Sequence, residues 1–407
     1  MANLTNNNHY DAIIIGGGIA GASVAYSLSK RKMKTLLLER REDVALEASG
    51  NPTGIIYPLL TKNKSIEGTF SLKSFRFVTK EIELIQNIFN ELKDPTPSSG
   101  VFLLPKSDLE KERYFGSIAA NSLGKEELEF IRDDFSQKEG FLFKTALAIS
   151  PRHLTKTLLQ LSRNFTDIAF FENYKNKSEN QGITIATEKA TFHSDYLFLC
   201  HANSFLEFPE TSWIPIRKVR GQLLWLPLAD ELMALPYSYL FGDYLTKDVG
   251  HGCVLGASFD EYQLEEEKRD HESLSFLERA GLALPKLEHF FSHLTNDGVS
   301  KLRTRVSYRS QSQDRRPVFG PLPDFKDFSE HLPTLPSPSS KMIPIVPNIK
   351  NQYVLGALGS RGLTHSLFAS EMIVRDALKE ISLLDEKEYA DFKPSRFLLR
   401  NWKRGSK

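Results

Sequence analysis

The chain has 407 residues, with 52 Lys and Arg against 51 Asp and Glu and a formal net charge of +1, so any attraction to nucleic acid or membrane must come from a local patch. Its 41% hydrophobic and 25% charged residues are ordinary for a folded protein with room for two domains and a large core, which excludes a disordered tail. The only cysteines are Cys200 and Cys253, with no Cys-x-x-Cys or Cys/His spacing, which excludes a disulfide framework and a structural zinc site.

The opening "MANLTNNNHY" lacks a basic n-region and an apolar h-region, and no apolar stretch approaches the roughly 18 residues of a bilayer span. The expectation is a cytoplasmic protein without a membrane partner. A nucleotide-binding unit follows in "YDAIIIGGGIAGASVAYSLSKRKMKTLLLERRE". Tyr10 to Ile15 suits a buried parallel strand. Gly16, Gly18 and Gly21 fit G-x-G-x-x-G, Ala22 to Lys30 reads as a helix, and "KTLLLE" as a second strand. The first glycine makes the tight turn, the second admits a pyrophosphate, and the third permits close packing of helix on strand. Glu39, 18 residues after Gly21, stands where a carboxylate accepts hydrogen bonds from ribose hydroxyls. The unit predicts a dinucleotide, either NAD or FAD.

Helical periodicity then runs over 73–92 and is broken by "DPTPSSG". The stretches 101–106, 221–228, 239–246 and 251–260 read as strands, followed by a helix over 266–281, and make an antiparallel sheet. Between them, 151–164 reads as a helix and 183–202 as a hairpin with a final strand that returns to the nucleotide unit. The segment 332–348 carries five prolines and reads as a surface loop.

A second glycine-rich helix start lies in "VLGALGSRGLTHSLFASEMI", where Gly356, Gly359 and Gly362 precede an amphipathic helix over about 363–378. A helix start favours an anionic group, so two starts imply two anionic places on one ligand, or two ligands. No second G-x-G-x-x-G is present, since "GHGCVLG" lacks the spacing, so electrons are expected from the substrate itself rather than from a nicotinamide. A reduced flavin carries negative charge on its pyrimidine edge, which a helix dipole would stabilise. This favours FAD, the alternative being a glycine loop that only packs. The expected fold is α/β (α+β): a Rossmann-like FAD-binding domain (10–92, 150–215 and 301–380) interleaved with an antiparallel-sheet substrate domain (93–149 and 216–300), then a basic tail, 381–407.

"GGGIAGA", "EASGNPTGIIYPLLTK", "GASFDEY", "SYRSQSQDRRPVFGPLPD" and "LGALGSRGL" together resemble the FAD-dependent C-terminal half of the bifunctional bacterial enzyme of tRNA 5-methylaminomethyl-2-thiouridine biosynthesis. The chain is similar, more loosely, to glycine oxidase and the D-amino acid oxidase superfamily. The resemblance implies FAD as cofactor and tRNA, through its anticodon region, as partner. The implied reaction removes the carboxymethyl group of 5-carboxymethylaminomethyl-(2-thio)uridine at the wobble position, releasing glyoxylate and leaving the aminomethyl base. The resemblance extends the cofactor site to Arg40, Ser49, Gly50, Asn51 and Gly54, and to Gly359, Ser360, Gly362, Leu363 and Thr364. The family's upstream methyltransferase half has no counterpart ahead of the first strand, so a separate methyltransferase is expected to act on the product. Two positions depart from the family: "HANSF" after the strand "LFLC", where a glycine is more usual, and Gln313.

The reacting group of that substrate is an N-substituted glycine, so the protein must hold a carboxylate. A planar guanidinium does this with two parallel hydrogen bonds. The resemblance assigns that role to Arg309, the arginine of an R…D..P..G pattern completed by Asp314, Pro317 and Gly320. Arg361, in "GSRG", is the second candidate and could instead touch the flavin or the uridine or serve only as a helix-start residue. Tyr244 is placed by the same resemblance on the substrate cavity, against the alternative of a core aromatic. His365 reads as a neutral helix-start side chain. The ten histidines are scattered and no metal site is expected.

Lys393, Arg396, Arg400, Lys403, Arg404 and Lys407, with Phe397 and Trp402 interleaved, make a basic tail. It could neutralise phosphates while an aromatic stacks, or be merely solvated. Three functions remain open on the sequence: the tRNA-modifying oxidase, an oxidase of a free amino acid such as glycine or sarcosine, and a flavin-binding module without turnover. The number of subunits is not legible.

Overall fold

A computed structural model of the chain describes residues 9–91, 97–121, 123–174, 176–178, 182–337 and 342–405. Two sheets carry the fold. The first runs, in spatial order, Val318–Pro323, Asn348–Gly356, Thr191–Leu199, His9–Ile15, Thr35–Glu39 and Thr166–Phe170, with the small hairpin Asn176–Ser178 and Ile183–Ala186 added to Thr191–Leu199. Its four central pairings, from Asn348–Gly356 to Thr166–Phe170, are parallel. Such strands are covered on both faces, which is why "AIII" and "TLLLE" are nearly unbroken apolar runs. The register sets Ile15 beside Leu38 and Leu199, and Leu199 beside Val354. Gly16, Glu39, Cys200 and Gly356 are thereby gathered at the carboxyl edge of one sheet, where open α/β sheets bind their ligands.

The second sheet runs Arg303–Ser312, Ile216–Trp225, Val254–Gly256, Tyr244–Leu245, Ser238–Leu240, Ser98–Leu103, Lys138–Ile149 and Gly54–Ile56, with Leu128–Asp133 paired to Lys138–Ile149. All but one of these pairings are antiparallel, Ser238–Leu240 running parallel to Ser98–Leu103. The stretch 239–246 is a hairpin rather than one strand, closed at Phe241 to Asp243. Two strands differ from the expected division of the chain. Gly54–Ile56 pairs with Lys138–Ile149, and Arg303–Ser312 pairs along its whole length with Ile216–Trp225. The strand that carries Arg309 therefore belongs to the second sheet, not to a nucleotide-binding segment beginning at 301.

The periodic helix expected over 73–92 spans Ile66–Glu91, that expected over 151–164 is Pro151–Ser162, capped by Ser150, and that expected over 266–281 is Asp270–Ala283. The late glycine-headed helix, Gly362–Ala377, is not amphipathic: every residue from Leu363 to Val374 is buried. It packs against the first glycine-headed helix, Ile19–Ser29, between the sheet and Ile66–Glu91. Glu371 ties the two glycine-headed helices. It accepts from Ser27 Oγ at 2.7 Å and from Arg31 at 2.8 and 3.2 Å, and Arg375 adds a bond of 2.7 Å. Burial pushes the Glu371 carboxyl up, but the bonds from Arg31 and Ser27 prevail and hold it at about 2.

The basic tail is folded, which corrects the expectation of a free aromatic and basic grip. Ser395–Lys403 is a helix whose Phe397, Leu398 and Trp402 are buried, Trp402 donating to the Pro336 carbonyl at 3.1 Å. Arg396 is buried and grips Asp314 through two bonds of 3.0 Å, and Arg400 reaches the same carboxylate at 2.5 Å. Burial alone would raise the Asp314 carboxyl, yet Arg396 and Arg400 hold it well below its ordinary range. Lys393 lies over the Tyr389 ring, Lys403 and Arg404 are exposed, and Lys407 lies outside the described residues. The physical reason is the amphipathic spacing of Phe397, Leu398 and Trp402, which buries the aromatics and leaves only some of the cations to water. Among the described residues no helix is long and apolar enough to cross a membrane.

Candidate active site

At the carboxyl edge of the parallel sheet lie two adjoining chambers, of about 240 and 150 Å³. Gly18, Ala48, Ser49, Cys200 and Ala202 line both, so the chambers meet at the N-terminus of Ile19–Ser29. The first-turn N–H groups of a helix have no intrahelical acceptor; here the Ile19 N–H is met by Ser49 Oγ at 3.0 Å. The smaller chamber extends past Gly16 to Glu39 and Arg40 and on to Tyr174 and Asn203. Glu39 accepts from the Gly17 N–H at 2.7 Å and from the Arg41 N–H at 2.9 Å, which fixes the carboxylate while leaving each oxygen a further acceptor position. Arg40 bonds Ser204 at 3.1 Å and pairs with Glu47 and Glu207 at the rim.

The larger chamber reaches from Ser49, Asn51 and Gly54 to Gly359, Ser360, Gly362 and Leu363, and to Tyr244 and Arg309. Both glycine-rich helix starts therefore open onto one continuous space. Three predicted cofactor residues do not line it. Gly21 packs inside its helix against the Gly16 carbonyl. Gly50 lies against Arg305, and Thr364 is fully buried, donating to the Tyr57 carbonyl at 3.3 Å.

Arg309 lies in the wall of the larger chamber. One Nη donates to the Ser258 carbonyl at 2.9 Å, and among the described residues no carboxylate pairs with it. Burial lowers the guanidinium's pKa, opposed by Tyr244, so the charge is held in a desolvated place with donors to spare. Tyr244 lines the same chamber, its phenol pushed up by burial. Arg361 is not in the lining. Its guanidinium sits 5.3 Å from the ring centre of Tyr57, with a long 3.4 Å contact to the phenol, and its buried Nε has no partner among the described residues. His365 is buried beside Ser71 at 3.2 Å, outside the lining; burial, helped by the charge of Arg361, lowers it to about 3, so it is neutral. Among the described residues no cluster could hold a metal ion.

The R…D..P..G pattern divides its labour. Arg309 faces the chamber, whereas Asp314 anchors the C-terminal helix, and Gly320, with φ of +141°, lets Tyr389 and Lys393 approach. At the departure "HANSF", Ala202 adopts φ of +47°, a conformation that favours glycine. The wall both chambers share therefore keeps a glycine-like turn without a glycine. Two site residues escaped the sequence reading. Tyr57 lines the larger chamber, although it stands in the quoted "GIIYPLL". Arg305 clamps the 46–51 loop by donating to Leu46 and Glu47 carbonyls at 2.9 and 2.8 Å and to Asn51 at 3.2 Å; only its position four residues before Arg309 hinted at it.

A bipartite space, with an acid at one end, an open helix start in the middle and a second helix start at the other end, fits an extended dinucleotide such as FAD. The fit is sharpest at Gly18, where the nearest atom to an added Cβ is the Ser49 hydroxyl, leaving backbone open to the shared space.

The chain is 30% identical over 410 residues to the tRNA 5-methylaminomethyl-2-thiouridine biosynthesis bifunctional protein MnmC of Leptospira borgpetersenii serovar Hardjo-bovis, covering 96% of this chain and 60% of the relative. It is 26% identical to the protein of that name from Campylobacter fetus, over 97% of this chain and 60% of that one. The chain thus spans about three fifths of the length of these curated relatives. Among solved structures, glycine oxidase from Geobacillus kaustophilus superposes with a TM-score of 0.73 at 14% identity, over 95% of this chain and 99% of that one. Iminodiacetate oxidase from Chelativorans does so with 0.69 at 15%, over 94% and 99%. At such identities these two show the shared fold. Residues 11–375 match the family model described as FAD dependent oxidoreductase; the chain belongs to that family.

Proposed function

We propose that the chain oxidises the N-carboxymethyl arm of 5-carboxymethylaminomethyl-(2-thio)uridine at the tRNA wobble position. The curated relatives named for tRNA 5-methylaminomethyl-2-thiouridine biosynthesis support this reading. Bound FAD supplies a two-electron acceptor for the arm's C–H bond. With water, the secondary amine R–NH–CH₂–COO⁻ gives R–NH₂ and glyoxylate, the two electrons and their protons leaving on the cofactor. The protein's part is to hold and orient. Arg309 grips the carboxylate with a planar fork, and the apolar surroundings that desolvate it strengthen the ion pair. Tyr244 and Tyr57 close the same chamber and exclude bulk water. A cytoplasmic setting belongs to this reading.

The observation that carries it is the guanidinium of Arg309, which faces a chamber bounded by both helix starts and has no carboxylate partner among the described residues. Oxidised protein mixed without oxygen with carboxymethylaminomethyl-tRNA should lose its yellow colour, and glycine should leave it unchanged. Bleaching by glycine alone would assign a free amino acid as substrate, a reading favoured by the folding of the aromatic tail into the core. No bleaching by either leaves a flavin-binding module. Arg309→Ala should raise the half-saturating tRNA concentration at least about 100-fold, the loss of a charge-assisted bidentate contact, while FAD content stays that of the unaltered protein.

A further inference from the structure

Just outside the chamber, the strand that ends at Gly256 continues into a loop that is pinned on both sides of Phe259. The Ser258 N–H donates to the Gln222 carbonyl at 3.1 Å, and Ser258 Oγ accepts from the Gln222 N–H at 2.9 Å. Asp260 and Arg220 exchange two backbone bonds of 2.8 and 3.0 Å. The Asp260 carboxylate then accepts from the Tyr262 and Gln263 N–H groups and from Arg269 at 2.8 Å. Because side chains alternate between faces along an extended segment, the residue between positions 258 and 260 is set on the face opposite to both. It is a phenylalanine, and it is 47% exposed.

A half-exposed aromatic on a loop held this tightly keeps one position at the surface. Its neighbour gives it a use. The Phe259 ring centre is 5.9 Å from the Arg309 guanidinium, and the carbonyl that accepts from that guanidinium belongs to the preceding residue, Ser258. Arg309 lines the chamber and Phe259 does not, so a half-exposed ring lies beside the carboxylate grip, outside the lining. In the proposed substrate four bonds of about 1.5 Å each separate the carboxylate carbon from the pyrimidine ring. A carboxylate seated on Arg309 therefore leaves the base within reach of a ring beside that same guanidinium. A free amino acid has nothing to set there.

We propose that Phe259 is the platform on which the substrate's pyrimidine stacks, so that it selects a nucleotide-borne amine over a free amino acid. The inference rests on the tRNA reading. Flat apolar rings stack on bases irrespective of base identity, and placing this one on a rigid loop costs little ordering entropy when the substrate arrives.

The test uses the full chain with FAD bound, reduced anaerobically by carboxymethylaminomethyl-tRNA over a range of concentrations. Phe259→Ala should raise the half-saturating tRNA concentration about tenfold, as loss of one base stack does, with the limiting rate of bleaching within twofold of the unaltered protein. Phe259→Trp should restore tight capture. Equal melting temperature and FAD content in both variants keep the comparison free of misfolding. If the unaltered protein does not bleach with tRNA, the substrate reading fails and the platform with it. If it bleaches and Phe259→Ala saturates at the same concentration, the platform is overturned and the substrate reading stands. Equal losses in the Ala and Trp variants would likewise overturn it, because they would report the shape of the rim and not stacking.

Discussion

Both helices that begin at the cavity are headed by glycines, and those glycines answer two different demands. Before Ile19–Ser29, Gly16 has φ of +108°, and a Cβ on Gly21 would lie 1.9 Å from the Gly16 carbonyl oxygen. At these two positions protein backbone fills the place a side chain would take. Before Gly362–Ala377, Gly359 has φ of +58°, but a Cβ on Gly362 would meet nothing nearer than 3.8 Å. There the glycine faces the chamber. Gly16 and Gly21, like Gly356 against Phe205, are glycine because the protein packs against itself; Gly18 and Gly362 are glycine where the wall of a ligand space passes.

The sharpest way to break the comparison is Gly21→Ala. The clash is with backbone that cannot swing aside, so the strand, turn and helix must separate, at a cost of at least about 3 kcal/mol. Thermal unfolding should show a large drop and purified protein should be colourless; a stable yellow variant would contradict the close packing described.

The next effect concerns what holds the two starts together. Glu371→Ala leaves Arg31, Arg375 and Ser27 without their shared acceptor, and removing one partner of a buried ion pair costs about 3–5 kcal/mol. Denaturant titration at neutral pH measures it. The pH dependence has a definite sign. The Glu371 carboxyl lies at about 2 in the folded chain against an ordinary 4.5, so its contribution is whole above about 4.5 and disappears as pH falls toward 2. The stabilities of the unaltered and altered proteins should therefore converge in acid, and parallel curves would refute the assignment.

That difference between packing and ligand space also marks how far the sequence could be read. The first start was legible because strand, glycines, helix and Glu39 are contiguous, and local geometry alone dictates them. The Glu371 network was not, since Ser27 and Glu371 are separated by 344 positions and nothing in either neighbourhood announces the other. Phe397 and Trp402 looked available for stacking because a basic run resembles a nucleic-acid grip. Trp402 is buried against Phe328 and Leu335, and Phe397 in the cluster that holds Ile216 and Val318, surfaces whose proximity only the tertiary fold sets. Arg309 could be named from its pattern, but its sheet could not: Arg303–Ser312 pairs with Ile216–Trp225, a register invisible in either strand alone.

Ala202 gives a smaller and opposite effect. It holds φ of +47° where both chambers meet, a conformation that costs an alanine roughly 1–2 kcal/mol more than a glycine. Part of that gain returns as greater freedom of the unfolded chain, so Ala202→Gly should stabilise the protein by about 0.5–1 kcal/mol. A calorimetric scan should show a modest rise in melting temperature. A fall would mean that the Ala202 methyl packs favourably enough to outweigh the backbone strain.

Gly362→Ala has the smallest expected effect on the protein itself and separates the two kinds of glycine most cleanly. At the first position of a helix, with no atom within 3.8 Å of the new methyl, alanine neither clashes nor fills a void, so the cofactor-free protein should keep its melting temperature within about 0.5 kcal/mol of stability. FAD, however, must share the chamber that this residue lines, and a methyl group projecting into it should weaken cofactor retention measurably on dialysis. Unchanged retention would mean that the second glycine cluster serves only the turn at Gly359 and the packing of Gly356 against Phe205, and that the helix start does not approach the bound cofactor.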